Sequence, residues 1–432
     1  MGAERKRVKQ GAFLAAILAG ALAAPASAAT LYVRAGRLID VDYGTTRTGQ
    51  CVLVTDGRVI RVEACGKTPS GAQEVDWSAY TVLPGLIDLH THLADTGQSA
   101  DVAAPLKTSP QLTALIGAHN AKVTLDAGFT TVRDVGTYRG LTDVALRDAI
   151  AAGDVPGPRM FVAGAYITKP GGGGELNGVV PNDQVPADMR YGVIRNPQEA
   201  HEKTEFLFEH GADFIKMIAT GAVLAIGTEP GQVELTEDEM RAVVAVAKEH
   251  HSYATAHAHG AEGIKAAIRS GVHSVEHASL IDDEGLKMAK DADVWLVMDI
   301  YDGDWIDQQG TKEGWPAEYL RKNRETTQIQ RDGFAKAVKM GVKLAFGTDA
   351  GVYPHGLNAR QFAYMVKYGM TPMQAIKAAT IDAATLIGHE SELGSIAPGK
   401  FADMIAVEGD PLRDVSVLEH VSHVMKAGTV EE

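Results

Sequence analysis

Cysteine is nearly absent from this chain of 432 residues, which contains only Cys51 and Cys65. Two thiols can build neither a disulfide-knit scaffold nor a cysteine-based zinc site. The pair flanks the turn Asp56-Gly57, and a two-residue hairpin there sets Cys51 opposite Val62, so the register argues against a disulfide. Long apolar runs are lacking too. Beyond the N-terminal segment no stretch reaches the roughly 18 to 20 uninterrupted apolar residues of a membrane-spanning helix. Basic residues are outnumbered: 41 Lys and Arg against 55 Asp and Glu give a formal charge of −14. That balance repels phosphate backbones and anionic lipid, which argues against nucleic-acid and membrane partners. The glycine run Gly171-Gly172-Gly173-Gly174 matches neither the P-loop nor the dinucleotide-binding fingerprint.

What is present begins with an export signature. Arg5, Lys6, Arg7 and Lys9 precede an apolar stretch from Ala12 to Ala24 and then Pro25-Ala26-Ser27-Ala28-Ala29, the pattern of a secretory signal with a small-residue cleavage site. Cleavage after Ala28 would leave an exported protein, periplasmic or secreted, with its formal charge moved from −14 to −17 by the loss of four bases and one acid. An apolar fraction of 45% and a charged fraction of 22% are those of a globular chain.

The mature sequence divides by pattern. Residues 29–84 and 394–432 read as short strands and turns, neither piece long enough to bury a core alone, so both chain ends are expected to pair into one split β-sandwich. Between them, residues 85–393 alternate strand and helix eight times. The predicted strands are Val82 to His90, Phe129 to Asp134, Arg159 to Gly164, Phe214 to Ile218, Ser252 to His257, Ser274 to His277, Asp293 to Asp299 and Lys343 to Thr348. Eight such units predict a closed (β/α)8 TIM barrel. A helix beginning after Thr236 has that residue as its N-cap. Two long glycine-rich insertions follow the third and fourth strands, at Thr168 to Glu175 and at Ala219 to Gly231.

Chemistry gathers at the strand ends. His90 and His92 lie two apart at the end of Tyr80-Thr81-Val82-Leu83-Pro84-Gly85-Leu86-Ile87-Asp88-Leu89, so their imidazoles point the same way and can grip one metal ion. Lys216, His257, His277 and Asp349 each close a further β-like run. Six metal-capable side chains at the carboxyl ends of barrel strands predict a metallohydrolase. Nitrogen and oxygen donors without thiolate suit zinc, although other divalent ions share that preference. A lysine joins such a set only with a lowered pKa or as an anionic carbamate. His259 lies two residues past His257 on the same face, and His257 is favoured because it directly ends the strand. Glu276, by alternation along the strand, is expected to point away from the site.

Pro84-Gly85-Leu86-Ile87-Asp88-Leu89-His90-Thr91-His92, Glu276-His277-Ala278, Gly347-Thr348-Asp349 and Gly394-Ser395-Ile396-Ala397-Pro398-Gly399-Lys400-Phe401-Ala402-Asp403 together resemble the amidohydrolase superfamily. Within it the chain is similar to binuclear zinc members that cleave C-terminal residues from dipeptides and N-acyl amino acids, a group that holds ochratoxin A-hydrolysing enzymes. The resemblance implies two Zn2+ ions, one held by His90, His92 and Asp349 and the other by His257 and His277. It implies a carbamate on Lys216, formed from CO2, that bridges them together with a hydroxide, and a proton-transfer role for Asp349. It also implies a homo-oligomer, an octamer being one such assembly.

The implied substrate is a small-molecule amide: an N-acyl amino acid, a dipeptide, or ochratoxin A, whose cleavage gives phenylalanine and ochratoxin alpha. Arg133, Tyr166, Lys169, His259, Tyr353 and His355 fall on or near the rim and are candidates for substrate contact. Dipeptide-trimming relatives carry a histidine in the loop after strand three, where this chain has Lys169-Pro170-Gly171-Gly172-Gly173-Gly174-Glu175. A cyclic-amide hydrolase or lactonase on the same metals is the alternative chemistry, and a catalytically silent binding protein the alternative class.

Overall fold

The computed structural model describes residues 30–431. The export signature read in the first 28 residues lies outside them. Strands from both chain ends form one mixed seven-stranded sheet: β1 (Thr30–Asp40), β2 (Thr45–Thr55), β3 (Arg58–Ala64) and β4 (Gln73–Pro84) come from the N-terminal side. One face of this sheet buries Leu31, Val33, Val52, Trp77, Met404 and Met425 in a core of its own. The opposite face sends Leu83, Ile405 and Val424 into the main core.

The two cysteines depart from the expected register. A bulge between Leu53 and Val54 leaves Ile60 unpaired, so Cys51 sits opposite Glu63 rather than Val62. That one-residue slip brings Cys65 to the face of Cys51, and the two form a disulfide with Cα atoms 4.9 Å apart.

The barrel strands are β5 (Leu86–Thr91), β6 (Phe129–Asp134), β7 (Arg159–Val162), β8 (Tyr166–Ile167), β9 (Ile215–Ile218), β10 (Ala254–Ala258), β11 (Ser274–His277), β12 (Trp295–Val297) and β13 (Leu344–Ala345). All neighbouring pairs are parallel. Of these, β7 and β8 are two halves of one stave. The chain breaks between them at Gly164, whose φ of 76° suits a residue without Cβ; β7 pairs with β6 and β8 with β9. Closure comes from Leu89 N donating to Phe346 O at 3.0 Å and Asp349 N to His90 O at 2.9 Å. The fold is therefore a (β/α)8 barrel with an accessory sheet domain, completed by β14 (Met404–Val407), β15 (Val421–Lys426) and β16 (Thr429–Glu431).

The run predicted as a single strand from Val82 to His90 is divided at Gly85. Its amide donates to Asp403 O at 2.9 Å, and a Cβ there would meet Thr130 Oγ1 at 2.2 Å. Glycine thus lets the chain leave the sheet and enter the barrel in one residue. Helices wrap the outside for local reasons. In Glu237–Glu249, Thr236 and Glu239 form a reciprocal capping box, three acids occupy the first turn, and Met240, Val243, Val244 and Ala247 face inward. The cap stabilises the helix by about 1 kcal/mol. Beneath the staves Phe129, Phe346 and Phe362 stack with centroids 5.6 and 4.5 Å apart. Truncating any one of them costs about 3 to 5 kcal/mol.

Candidate metal centre

Parallel strands deliver their last residues to one mouth of the barrel, and the structure brings all six expected side chains together there. His90 lies on β5 and His92 just beyond it, Lys216 on β9, His257 on β10, His277 at the end of β11 and Asp349 after β13. Asp349 Oδ1 is 3.1 Å from His92 Nε2 and 3.4 Å from His90 Nε2. The ring of His277 lies 4.8 Å from that of His90 and 4.5 Å from that of His257. Donor atoms of His90, His277 and Asp349 all fall within 4.8 Å of one another, as do those of His257, His259 and His277, and of Asp299, Asp302 and Asp349. These groups can hold metal ions.

Fixed acceptors orient the rings. His90 Nδ1 meets Glu276 at 3.0 Å, His92 Nδ1 meets Gly136 O at 2.8 Å, and His277 Nδ1 meets Asp299 at 2.8 Å. For His90 and His277 the proton on Nδ1 leaves Nε2 as the free donor to a cation, whereas the Nε2 proton of His92 points to Asp349 and would be given up to a metal. His257 is turned the other way, with Nε2 3.5 Å from Gly221 O. His259 Nδ1 is 2.8 Å from Ser279 Oγ. Among these partners Asp299 was not anticipated, although it ends a predicted strand and the same rule of strand ends points to it.

Glu276 is a correction. It faces into the barrel together with His277, because His277 and Ala278 adopt positive φ (66° and 49°) and break the alternation that would send neighbours to opposite sides. Asp349 shares this backbone habit at 57°. Left-handed non-glycine residues cost about 1 to 3 kcal/mol each and cluster where geometry is functional. Arg133 is a second correction. It does not line the cleft but is fully buried inside the barrel, its Nη2 2.7 Å from Glu276, Nε donating to Leu89 O at 2.7 Å and Nη1 to Ser274 Oγ at 3.1 Å. On β6 its side chain points inward, where Glu276 supplies the counter-charge.

Of the other candidates for substrate contact, Tyr166 and His259 line the cleft. Tyr166 Oη donates to Gly136 O at 3.1 Å and lies 3.2 Å from His92 Nδ1. Lys169 is drawn away to Glu239 at 3.2 Å, beside a helix start. Tyr353 and His355 lie behind the backbone of Gly351 and Val352, lining a separate cavity with Trp305 and Trp315. The bond from Gln98 N to Gly351 O at 2.8 Å ties together two segments that border both spaces.

The electrostatics follow from burial. Lys216 is 2% exposed, and desolvation lowers its ammonium to about 8. No carboxylate lies within ion-pair distance of it among the described residues. Burial and the neighbouring Lys216 lower His90 to about 4, so its contact with Glu276 is a hydrogen bond from a neutral ring. Against the burial that opposes it, the bond to Asp349 raises His92 to about 9. Burial also opposes ionisation of Asp349, yet His90 and His92 hold its carboxyl well below the usual range. Arg133 does the same for buried Glu276. Desolvation and the adjacent His277 keep His257 and His259 neutral.

The cleft holds a cavity of about 120 Å3. Its floor is the donor cluster. Tyr138, Gln98, Gly173, Gly174, Ala222 to Leu224, Ile306 and Val352 line its wall, with Gly173 packed against Ala222.

Residues 81–430 match the amidohydrolase family. Over 374 residues the chain is 30% identical to ochratoxinase from Aspergillus niger, a match spanning 80% of this chain and 75% of that enzyme. Among solved structures, a Xaa-Pro dipeptidase with methionine bound in its active site superposes with a TM-score of 0.88 at 36% identity, covering 94% of this chain and 100% of that one. The A. niger ochratoxinase crystal structure gives 0.82 at 27% identity, covering 94% and 96%. A match over most of its length, on a barrel whose rim gathers these donors, makes this chain a hydrolase of the amidohydrolase family.

Proposed function

We propose that the protein is a binuclear zinc amidohydrolase that cleaves the amide bond to the amino group of a C-terminal amino acid, in an N-acyl amino acid, a dipeptide or ochratoxin A. The observation that carries the reading is the gathering of His90, His92, His257, His277 and Asp349 in one cleft with a buried lysine whose pKa desolvation lowers to about 8. His90, His92 and Asp349 would hold one cation and His257 and His277 the other. The neutral Lys216 amine could add to CO2, its nitrogen bonding to carbon as one carbon–oxygen π bond opens and a proton leaves for solvent, which would replace a repelling ammonium by an anionic oxygen donor for the cations. Zinc bound there would polarise the scissile carbonyl and lower the pKa of a water molecule.

The chain's own groups supply the rest. Glu276 and Asp299 hold His90 and His277 in the tautomers that leave Nε2 open. Asp349 is held ionised, so a carboxylate oxygen can take the proton of the attacking water and pass it to the leaving amine. Two similarities support the substrate class: the ochratoxinase match and the dipeptidase that holds a free amino acid in its active site. The loop after the third stave brings Gly173 and Gly174, and no histidine, to the cleft wall, and the proposal takes the lost histidine to admit an acyl group bulkier than a dipeptide's N-terminal residue. Export from the cytoplasm and assembly into a homo-oligomer belong to the same proposal.

The test is a panel of N-acyl amino acids, dipeptides, cyclic amides and lactones against the zinc-loaded protein, with products resolved by chromatography. Release of a free amino acid from N-acyl-phenylalanine is expected, and faster from an aromatic-acyl than from an acetyl substrate. Turnover confined to cyclic amides or lactones would replace this reading. A clear win for the acetyl compound would remove the bulky-acyl part of it.

A further inference from the structure

The insertion after β9 leaves and re-enters the fold through a closed neck. Thr220 bridges Val233, and Gly221 N donates to Gln232 O at 2.9 Å. Within the excursion, Ala222, Val223 and Leu224 reach the cleft, while Ala225 and Thr228 turn to the helix Ala317–Met340. That helix presents Lys322, which is 0% exposed. Its ammonium bonds the carbonyls of Ala225 and, at 2.8 Å, Thr228, and is balanced by Glu318 at 3.0 Å. Glu318 also accepts from Gly227 N at 2.9 Å, and Arg321 pairs with Glu229 at 2.6 Å. One turn of helix thus grips the loop backbone at three points, Ala225, Gly227 and Thr228, and its flank at Glu229. Burying this ammonium gives up its hydration, and the two carbonyls and Glu318 offset that cost only while the loop stays in place.

The face of the loop so gripped is apolar. Val223, Leu224, Ile218, Ile306 and Val352 are the larger apolar side chains of a cleft otherwise lined largely by imidazoles, carboxylates, hydroxyls and amides, and Leu224, Ile306 and Val352 belong to one packed cluster. Leu224 and Ile226 pack in turn against the cluster of Tyr301, Trp315 and Tyr319. We infer that this loop wall is the subsite for the apolar or aromatic side chain of the substrate's amino acid, and that Lys322 is the positioning residue that fixes it. The inference rests on the proposed function and adds to it the class of residue released and the device that selects it. Lys322 itself does not line the cleft, so its effect reaches the substrate only through Val223 and Leu224.

The test uses the full zinc-loaded protein with Lys322→Met, and hydrogen exchange of the loop amides as a readout that needs no substrate. Exchange over 222–229 is expected to quicken by about tenfold or more, since the bonds that hold the loop are removed. The kcat/KM for an N-acyl-phenylalanine is expected to fall about tenfold, mostly through KM, with N-acyl-glycine within about twofold and metal content unchanged. Equal losses on the two substrates, or no loss on either, would overturn the subsite, and loop exchange at the wild-type rate would overturn the clamp. Should Lys322→Met not fold, Leu224→Ala carries the subsite test with the same expected loss of phenylalanine over glycine preference, and Glu318→Gln carries the exchange test. If wild-type protein cleaves neither substrate, the proposed function fails and the subsite with it, whereas the exchange comparison still judges the clamp by itself.

Discussion

Replacing Arg133 by methionine removes the one Arg or Lys, among the described residues, that is paired with Glu276, while filling much of the same space. Glu276 is 0% exposed, and it holds His90 Nδ1 with one oxygen while the other accepts from Arg133, Thr255 and Ser274. Taking one partner from a buried ion pair costs about 3 to 5 kcal/mol, because the remaining charge has no solvent to turn to. The loss should depend on pH. In the wild type Arg133 depresses the Glu276 pKa, so the stability from that pair is fully present above the unfolded carboxyl value and lost as pH falls below it toward the depressed folded value. In Arg133→Met, desolvation acts unopposed by the guanidinium and raises the carboxyl instead. The variant's deficit is then largest at alkaline pH and shrinks as pH falls and Glu276 takes up a proton. Denaturation midpoints of the two proteins at several pH values measure this directly. The double variant with Glu276→Gln should recover much of the loss, since both charges are then gone. A deficit under about 1 kcal/mol, or a double variant as damaged as the sum of the two singles, would refute the reasoning.

Other perturbations separate the parts of the account. Lys216→Ala should abolish nearly all turnover and lower the bound metal while leaving the circular dichroism spectrum intact, and wild-type rates would count against a bridging role. In metal-free protein, labelled bicarbonate observed by carbon NMR should report more carbamate as pH rises through about 8, because only the neutral amine adds CO2. Opening the disulfide by Cys51→Ser releases a constraint spanning 14 residues. The loss should be about 3 kcal/mol, seen as a melting temperature that no longer responds to reductant. Lys169→Ala should leave KM near the wild-type value, since that side chain faces Glu239 and not the cleft.

Much of the molecule was legible before any coordinates. The eight strand cores and the strand ends bearing His90, Lys216, His277 and Asp349 were readable because burial on both sides of a parallel strand leaves a local apolar run with a polar residue where it meets the mouth. The failures share a cause: each depends on a backbone detail with no local signature. The bulge at Ile60 shifted the cysteine register, and positive φ at His277 turned Glu276 inward. Arg133 read as a rim cation because its partner lies 143 residues away in sequence. Tyr353 and His355 follow Asp349 closely, yet the turn at Gly351 carries them behind the wall. Position favours His257 over His259 as the end of its strand, yet both rings reach the cluster around His277.

The central claim is that six side chains at one mouth of the barrel hold two divalent cations. Metal analysis of protein reconstituted with zinc and bicarbonate, set beside the His90→Ala and His277→Ala variants, tests it most directly. The account predicts two equivalents of zinc per wild-type chain and a clear loss in either variant. A wild-type chain that retains no stoichiometric metal, or variants that bind as much as the wild type, would contradict it.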